Sequence, residues 1–173
     1  MGWNGTFLLV SEPAGGILRV AEAIERNLVD SGATLVDRAP LTIEAWRAEP
    51  RLLGIAIAPP VAGWIAVTDT ERAPDAMLAA ALAPALNTPV VISTIVEICD
   101  PLEPEHVTVF GAPHDDRFMN LYERCGFRYA ELVAPEAAGF ARSDVVFLTV
   151  RTRSVRAHYL DHSMVLEDGD LPF

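Results

Sequence analysis

The apolar residues of this chain fall in short runs that proline or glycine closes. The run at 6–12 ends at Pro13, and the run at 52–58 ends at Pro59 and Pro60. Runs of about seven residues suit buried strands. None approaches the roughly 18 residues that a membrane-spanning helix needs. The chain therefore has to bury its apolar residues by pairing short strands into a sheet.

Further segments carry strand patterns. The run at 89–100 is the richest in β-branched residues and gives the clearest strand. The runs at 52–58 and 63–70 are close enough in sequence to pair as neighbours. The complete set of expected strands is 6–12, 33–37, 52–58, 63–70, 89–100, 106–111, 128–133 and 144–153.

Helical periodicity appears between these strands. Residues 17–30 carry an apolar stripe at steps of three and four, which predicts a helix. Gly32 is expected to end this helix by adopting the left-handed conformation. A second helix is expected from Pro74, with a kink or an early end at Pro84. Thr42 could cap a short helix. The pattern of residues 121–127 predicts another short helix. The buried face expected for the second helix is Met77, Leu78, Ala81, Leu82 and Leu86.

The order of these elements predicts an α+β or α/β fold: a mostly antiparallel or mixed sheet with helices packed on it. Residues 9–36 and 66–92 both read strand–helix–strand, so two β-α-β halves are one possible arrangement. The length of 173 residues suits a single domain. We expect this domain to span 1–163 and an acidic tail to span 164–173.

The charge of the chain excludes several classes of function. Its net charge is −11 and its pI about 4.7, which disfavours binding to nucleic acid or to anionic membranes. All 13 basic residues are arginine, so no lysine can form a Schiff base or hold a phosphate in a P-loop. Cys99 and Cys125 lack metal-site or redox spacing. With no signal-peptide pattern at the start, the chain is expected to be cytoplasmic.

Local signals for catalysis or metal binding are incomplete. His158 and His162 lie at i and i+4 with Asp161 between them, an order similar to that of the inverted zinc peptidases. A third ligand would have to come from upstream, and the candidates are His106, His114 and Asp116. We therefore predict no metal, no cofactor and no catalytic set, and a small metal-dependent enzyme stays the alternative.

A second enzymatic alternative rests on residues 121–127, Leu-Tyr-Glu-Arg-Cys-Gly-Phe. They resemble the Tyr-Glu-x-x-Gly-Phe element of GNAT acetyltransferases, in which a helix leads into a strand near the acyl donor. The resemblance covers about seven residues and points to Tyr122. The pyrophosphate-binding Arg/Gln-x-x-Gly-x-Gly/Ala element of that family is absent upstream. A small-ligand-binding regulatory domain is the third alternative.

Arg151, Arg153 and Arg156 form the one basic group in the sequence. On a strand, Arg151 and Arg153 would face the same side and could hold an anion or a carboxylate. Pairing with the acidic residues of the same chain is the favoured interpretation. Trp64 is expected in the core.

The size, acidity and Gly-Trp-strand–helix–strand segment at 63–98 resemble the small bacterial immunity proteins that neutralise secreted toxins. This resemblance covers about 40 of the 173 residues. It implies a non-catalytic inhibitor that binds a basic protein partner, such as a toxin domain, through acidic loops. The sequence leaves the oligomeric state open. The expected partner-binding residues are Glu97, Asp100, Glu103, Glu105, Asp115 and Asp116.

Overall fold

The computed structural model describes residues 4–70, 76–96, 103–113, 115–118 and 120–153. The strands are β1 (Asn4–Ser11), β2 (Thr34–Asp37), β3 (Leu52–Ile57), β4 (Trp64–Asp69), β5 (Val90–Val96), β6 (Glu103–Phe110) and β7 (Val146–Arg151). The α-helices are α1 (Gly16–Asp30), α2 (Ile43–Ala48), α3 (Ala76–Leu86), α4 (Leu121–Cys125) and α5 (Tyr129–Val133). Short 3-10 helices lie at Asp116–Phe118, Pro135–Ala138 and Arg142–Asp144.

The seven strands form one sheet in the order β2-β7-β3-β4-β1-β5-β6. Each neighbouring pair is antiparallel, including the expected pair β3 and β4. The fold is therefore a single-domain α+β structure. Both strand–helix–strand units are present, as β1-α1-β2 and β4-α3-β5. They interlock and do not form separate halves, because β1 lies between β4 and β5.

Helices α1 and α3 cover one face of the sheet. Of the stripe that the sequence predicts on α1, Ile17, Ala21, Ile24 and Leu28, the middle two are buried and the outer two are half-buried. Val20, which the prediction did not include, is also buried. These side chains pack against inward-facing strand residues such as Leu8 and Leu148. Gly32 ends this segment at φ 90°, the left-handed conformation that glycine adopts without steric cost.

The opposite face is covered by α2, α4, α5 and the connections between them. Here the prediction of a strand at 128–133 is wrong, because the segment forms α5. Tyr129 and Leu132 are spaced by three residues and are buried on one helix face. The Arg128 backbone N–H donates to the Glu131 carboxylate at 2.7 Å, which caps the first turn. A five-residue segment with aromatic and branched side chains fits either periodicity until its packing is known.

Tyr129 joins this second layer to the sheet. Its hydroxyl oxygen accepts a hydrogen bond from the Leu41 N–H at 2.8 Å, in a buried position. Burial raises the pKa of Tyr129 to about 12. Directly beneath the hydroxyl, Gly54 donates its N–H to Thr70 Oγ1 at 3.1 Å. A side chain at Gly54 would overlap Tyr129, Leu41 and Thr70, which makes this glycine a close-approach position.

The buried face of α3 differs from the expected one. Leu82 and Leu86 are buried as predicted, together with Ala79 and Ala83. Met77, expected in the core, is 78% exposed. Pro84 does not end the helix, which continues to Leu86.

No helix within the described ranges is long and apolar enough to cross a membrane.

Candidate functional site

One end of the sheet brings an aromatic pair and two carboxylates to the surface. Ser11, the last residue of β1, is opposite Trp64, the first residue of β4. The Trp64 ring meets the Phe118 ring edge-to-face, with 5.6 Å between centroids. Glu12 donates its backbone N–H to the Gly63 carbonyl at 2.9 Å, next to Trp64. We call Glu12, Trp64, Asp116 and Phe118 the aromatic end.

Exposure at the aromatic end suits contact with another molecule. Glu12 and Asp116 are exposed, and Trp64 and Phe118 are half-buried. The expectation that Trp64 belongs to the core is therefore met only in part: the ring packs on the second hydrophobic layer and also reaches the surface.

The turn before Trp64 holds a strained backbone. Val61 and Trp64 exchange both backbone hydrogen bonds, at 2.8 and 3.0 Å. Ala62 has φ 51° and Gly63 has φ 82°, the pattern of a type I′ hairpin turn. An alanine in this conformation costs roughly 1 to 2 kcal/mol. The Cys125 thiol donates to the Val61 carbonyl oxygen at 3.3 Å between Sγ and O, so α4 helps to hold the turn.

The acids expected to form one binding surface lie in two places. Asp115 and Asp116 follow the carboxyl end of β6, at the aromatic end. Glu103 and Glu105 were expected in a loop, but the backbone places them at the start of β6 itself. The eight residues of that strand span roughly 24 Å. Glu97 and Asp100 lie outside the described residues.

Asp115 and Asp116 also differ from each other. The Arg117 guanidinium donates to the Asp115 carboxylate at 2.8 Å from Nε and 2.5 Å from Nη2. The charge of Asp115 is thus largely compensated within the loop. Asp116 is exposed and opens the 3-10 helix that carries Phe118. Asp116 is therefore the stronger candidate for contact with a partner.

Many of the described arginines are engaged by the chain's own carboxylates. Arg151 confirms the favoured interpretation, since its guanidinium holds Glu49 at 2.5 and 3.0 Å. Arg153 packs over Gly32 at the end of α1, and Arg156 lies outside the described residues. The ion pairs are Arg19–Glu22, Arg38–Glu25, Arg51–Glu49, Arg117–Asp115, Arg128–Glu131, Arg142–Glu136 and Arg151–Glu49.

The Glu49–Arg151 pair predicts a defined acid sensitivity. The hydrogen bond from Arg151 holds the pKa of Glu49 below its ordinary value of 4.5. The Glu49 carboxylate therefore binds a proton more readily in the unfolded chain than in the folded one. For this reason the ion pair stabilises the fold at pH values above the ordinary pKa of the glutamate side chain. This contribution is lost as the pH falls through the folded pKa. We expect Glu49→Gln to lower the free energy of unfolding at pH 7, with the difference from wild type shrinking on acidification.

Urea unfolding of wild type and of Glu49→Gln at a series of pH values measures this difference in the free energy of unfolding. Glu44→Gln, on the exposed face of α2, is the matched control and should track wild type throughout. A gap between Glu49→Gln and wild type that stays constant from neutral to acidic pH would contradict the pKa assignment.

Three buried groups that could act as nucleophiles, Cys125, Tyr129 and Ser93, are not activated by their surroundings. Burial raises the pKa of the Cys125 thiol, which keeps it protonated. Tyr129 is likewise held neutral by burial. The Ser93 hydroxyl is buried in β5 without a hydrogen-bond partner, so no described base lies within reach of it.

The enzymatic alternatives gain little from the geometry. Among the described residues, no group of three or more His, Cys, Asp or Glu side chains could hold a metal ion. His114, His158 and His162 lie outside the described part of the chain, so the zinc alternative there stays untested. The acetyltransferase-like element does not form as expected, because α4, which contains Tyr122, leads into α5 where a strand was expected.

Sequence reasoning missed the pairing of Trp64 with Phe118, which are far apart in the chain. A partial signal was present in Trp64 itself, since tryptophan combines an apolar body with a polar N–H and is enriched at interfaces. No protein-family model, curated protein or solved structure matches the chain.

Proposed function

We propose that the protein is a non-catalytic binding protein of the inhibitor or immunity type, which engages a basic protein partner such as a toxin domain. The observation that carries this proposal is the half-buried Trp64–Phe118 pair. Two exposed acids lie near it along the backbone: Asp116 is two residues before Phe118, and the Glu12 N–H bonds to the Gly63 carbonyl next to Trp64. Interfaces draw most of their binding energy from a few aromatic and charged residues near their centre.

Two physical properties favour a basic partner. The net charge of −11 accelerates the encounter with a positively charged surface. Among the described residues, internal ion pairs compensate seven arginines, which reduces their repulsion of such a surface. The 61–64 turn that carries Trp64 is held by the Cys125 thiol of α4, which donates to the Val61 carbonyl, so little ordering entropy is lost when Trp64 is covered.

The test begins with affinity purification from the native host, using the immobilised full chain. A recovered partner is then purified, and its association and dissociation rates are measured across ionic strength. We expect association to slow strongly with added salt while dissociation changes less. Trp64→Ala should mainly raise the dissociation rate.

The decisive variant is Glu12→Arg/Asp116→Arg, which reverses both charges at the aromatic end. We expect it to slow association on the order of tenfold and to leave the unfolding midpoint nearly unchanged, because exposed charges contribute little to stability. The matched control is Asp30→Arg/Glu44→Arg. It makes the same change in net charge, but Asp30 lies at the far end of α1, about 21 Å from the start of that helix.

Equal slowing by both double variants would show that the aromatic end is not the binding surface. Recovery of no protein partner, together with turnover of an acyl donor or binding of a metabolite by the purified chain, would overturn the inhibitor function and favour an enzyme or a ligand-binding domain.

A further inference from the structure

Strand β6 is the last strand at one edge of the sheet. It pairs with β5 on its inner side, and none of the described residues pairs with its outer side. An edge strand presents unpaired backbone N–H and C=O groups to its surroundings. Which residues of β6 direct these groups outward follows from the hydrogen bonds one strand further into the sheet.

The ladder between β1 and β5 determines the orientation of the β5 backbone. The Ser11 N–H donates to the Pro89 carbonyl at 3.0 Å, so these two residues, which continue the β1–β5 register, form a hydrogen-bonded pair. Backbone groups alternate in direction along a strand, and the next residue, Val90, therefore directs its N–H and C=O toward β6. Val90 is opposite Phe110, and the register is regular from there back to residue 106. Phe110, and every second residue before it, thus faces β5 with its backbone groups.

Val107 and Val109 consequently carry the outward-facing backbone groups. Each directs one N–H and one C=O away from β5, while its side chain packs on the second hydrophobic layer. An extended chain presents donors and acceptors in matching pairs, at the same repeat of about 6.8 Å, whereas the backbone groups of a helix are already paired internally. An added strand opposite Val107 and Val109 would exchange both backbone hydrogen bonds with each of them.

The two edges of the sheet differ in how they are protected. Strand β2 has four residues and a register shift between Leu35 and Asp37, and β6 begins with Pro104 and a register shift of its own. Bulges, prolines and charges are the features that keep an edge from accepting another strand. Residues 106–110, His-Val-Thr-Val-Phe, contain no proline, arginine or acidic residue, and their register is regular. We call this stretch the open edge.

The segment that forms the open edge is acidic. Residues 74–116, which include β5 and β6, contain seven acidic residues and no arginine. Arg38, Arg51 and Arg151 instead lie on or next to β2, β3 and β7, in the opposite half of the sheet. A basic strand is therefore attracted to the open edge, whereas a second copy of this chain, with its net charge of −11, is repelled. The acids of the segment are Asp75, Glu97, Asp100, Glu103, Glu105, Asp115 and Asp116.

We propose that the open edge accepts an extended, basic segment of a protein partner as an eighth strand of the sheet. The loop that carries Asp116 and Phe118 follows β6, so the open edge and the aromatic end are adjacent along the chain. Strand addition rests on the proposed function for the nature of the partner, and it specifies how that partner binds.

Amide hydrogen exchange of the full chain, followed residue by residue by NMR, tests the free edge first. The amides of Thr108 and Phe110 donate to β5 and should be protected, whereas those of Val107 and Val109 should exchange rapidly. Protection of Val107 and Val109 in the free chain would show that the edge is already covered and would overturn the proposal.

The probe for strand addition is a peptide with blocked termini and the sequence Arg-Val-Arg-Val-Arg-Val-Arg. At about four times its dissociation constant it should slow the exchange of the Val107 and Val109 amides about fivefold. A peptide in which Glu replaces each Arg is the control and should leave their exchange unchanged. Failure of the basic peptide to protect these two amides, or equal protection by both peptides, would show that strand addition is wrong.

Two variants of β6 locate the site. Val109→Pro removes one outward N–H and no hydrogen bond to β5, and it should weaken binding of the basic peptide at least about fivefold. Thr108→Arg adds a like charge at an exposed position of the same strand and should weaken it similarly. Val36→Arg, at an exposed position of β2 on the other edge, is the matched control and should bind as wild type. Unchanged binding in both β6 variants would place the peptide elsewhere and overturn the proposal.

Failure of strand addition and failure of the proposed function give different results. If no basic protein partner is recovered from the host, the inhibitor function falls, while the peptide experiment still decides whether the open edge accepts a basic strand. If a partner is recovered whose affinity falls in Trp64→Ala but is unchanged in Val109→Pro and Thr108→Arg, the function stands and strand addition is wrong.

Discussion

Replacing Gly54 with alanine is expected to destabilise the protein by about 3 kcal/mol. The new Cβ would lie 2.6 Å from the Tyr129 hydroxyl, 2.8 Å from Leu41 Cβ and 2.9 Å from Thr70 Cγ2. Relief requires movement of α5 away from the sheet, which would stretch the hydrogen bond between Leu41 and Tyr129. Equilibrium unfolding in urea measures the loss.

Gly139→Ala separates steric overlap from backbone strain. Gly139 has φ 84°, and a Cβ there would meet nothing within 4 Å, so only conformational strain of about 1 kcal/mol applies. In the Gly54→Ala background, Thr70→Ser should recover part of the lost stability, because it removes one overlapping methyl group and keeps the oxygen that accepts from the residue 54 N–H. Equal losses from Gly54→Ala and Gly139→Ala would contradict the close contact.

Leu132→Ala is expected to cost about 2 to 5 kcal/mol, the range for truncating a fully buried leucine. Leu132 has no exposed surface, and it lies on α5 within the hydrophobic layer opposite α1 and α3. The result would show that this second layer is part of the cooperative unit, and the same urea experiment measures it.

Leu18→Ala is the control for this truncation. Leu18 is 64% exposed on α1, so its removal should change the free energy of unfolding by less than about 0.5 kcal/mol. If Leu132→Ala instead produced a separate, early transition with the main one unchanged, the layer formed by α4 and α5 would unfold independently of the sheet.

Comparison of particular elements shows where sequence patterns sufficed. The strands β1, β3, β4 and β5 were predicted to within a few residues, because proline or glycine bounds each apolar run. Thr42 caps α2 as predicted, with its hydroxyl accepting from the Ala45 N–H at 3.2 Å. Such local signals act between residues that are neighbours in the chain, and they operate in any tertiary context.

Segments with two compatible periodicities could not be assigned in this way. Residues 128–133 fit a strand as well as they fit α5, and the buried positions of Tyr129 and Leu132 decide the outcome. Likewise α3 is apolar on every side, so its sequence cannot indicate which stripe faces the core. Met77 was assigned to the core for that reason.

The candidate site shows the same division. The sequence by itself determined the acidity of the chain, its short strands and its lack of lysine chemistry, since these are properties of composition and local pattern. Only the tertiary structure decided that Trp64 meets Phe118, and that Glu103 begins β6 whereas Asp115 follows its other end. Strand order and the packing of distant segments set these relations, and both depend on contacts between residues far apart in the chain.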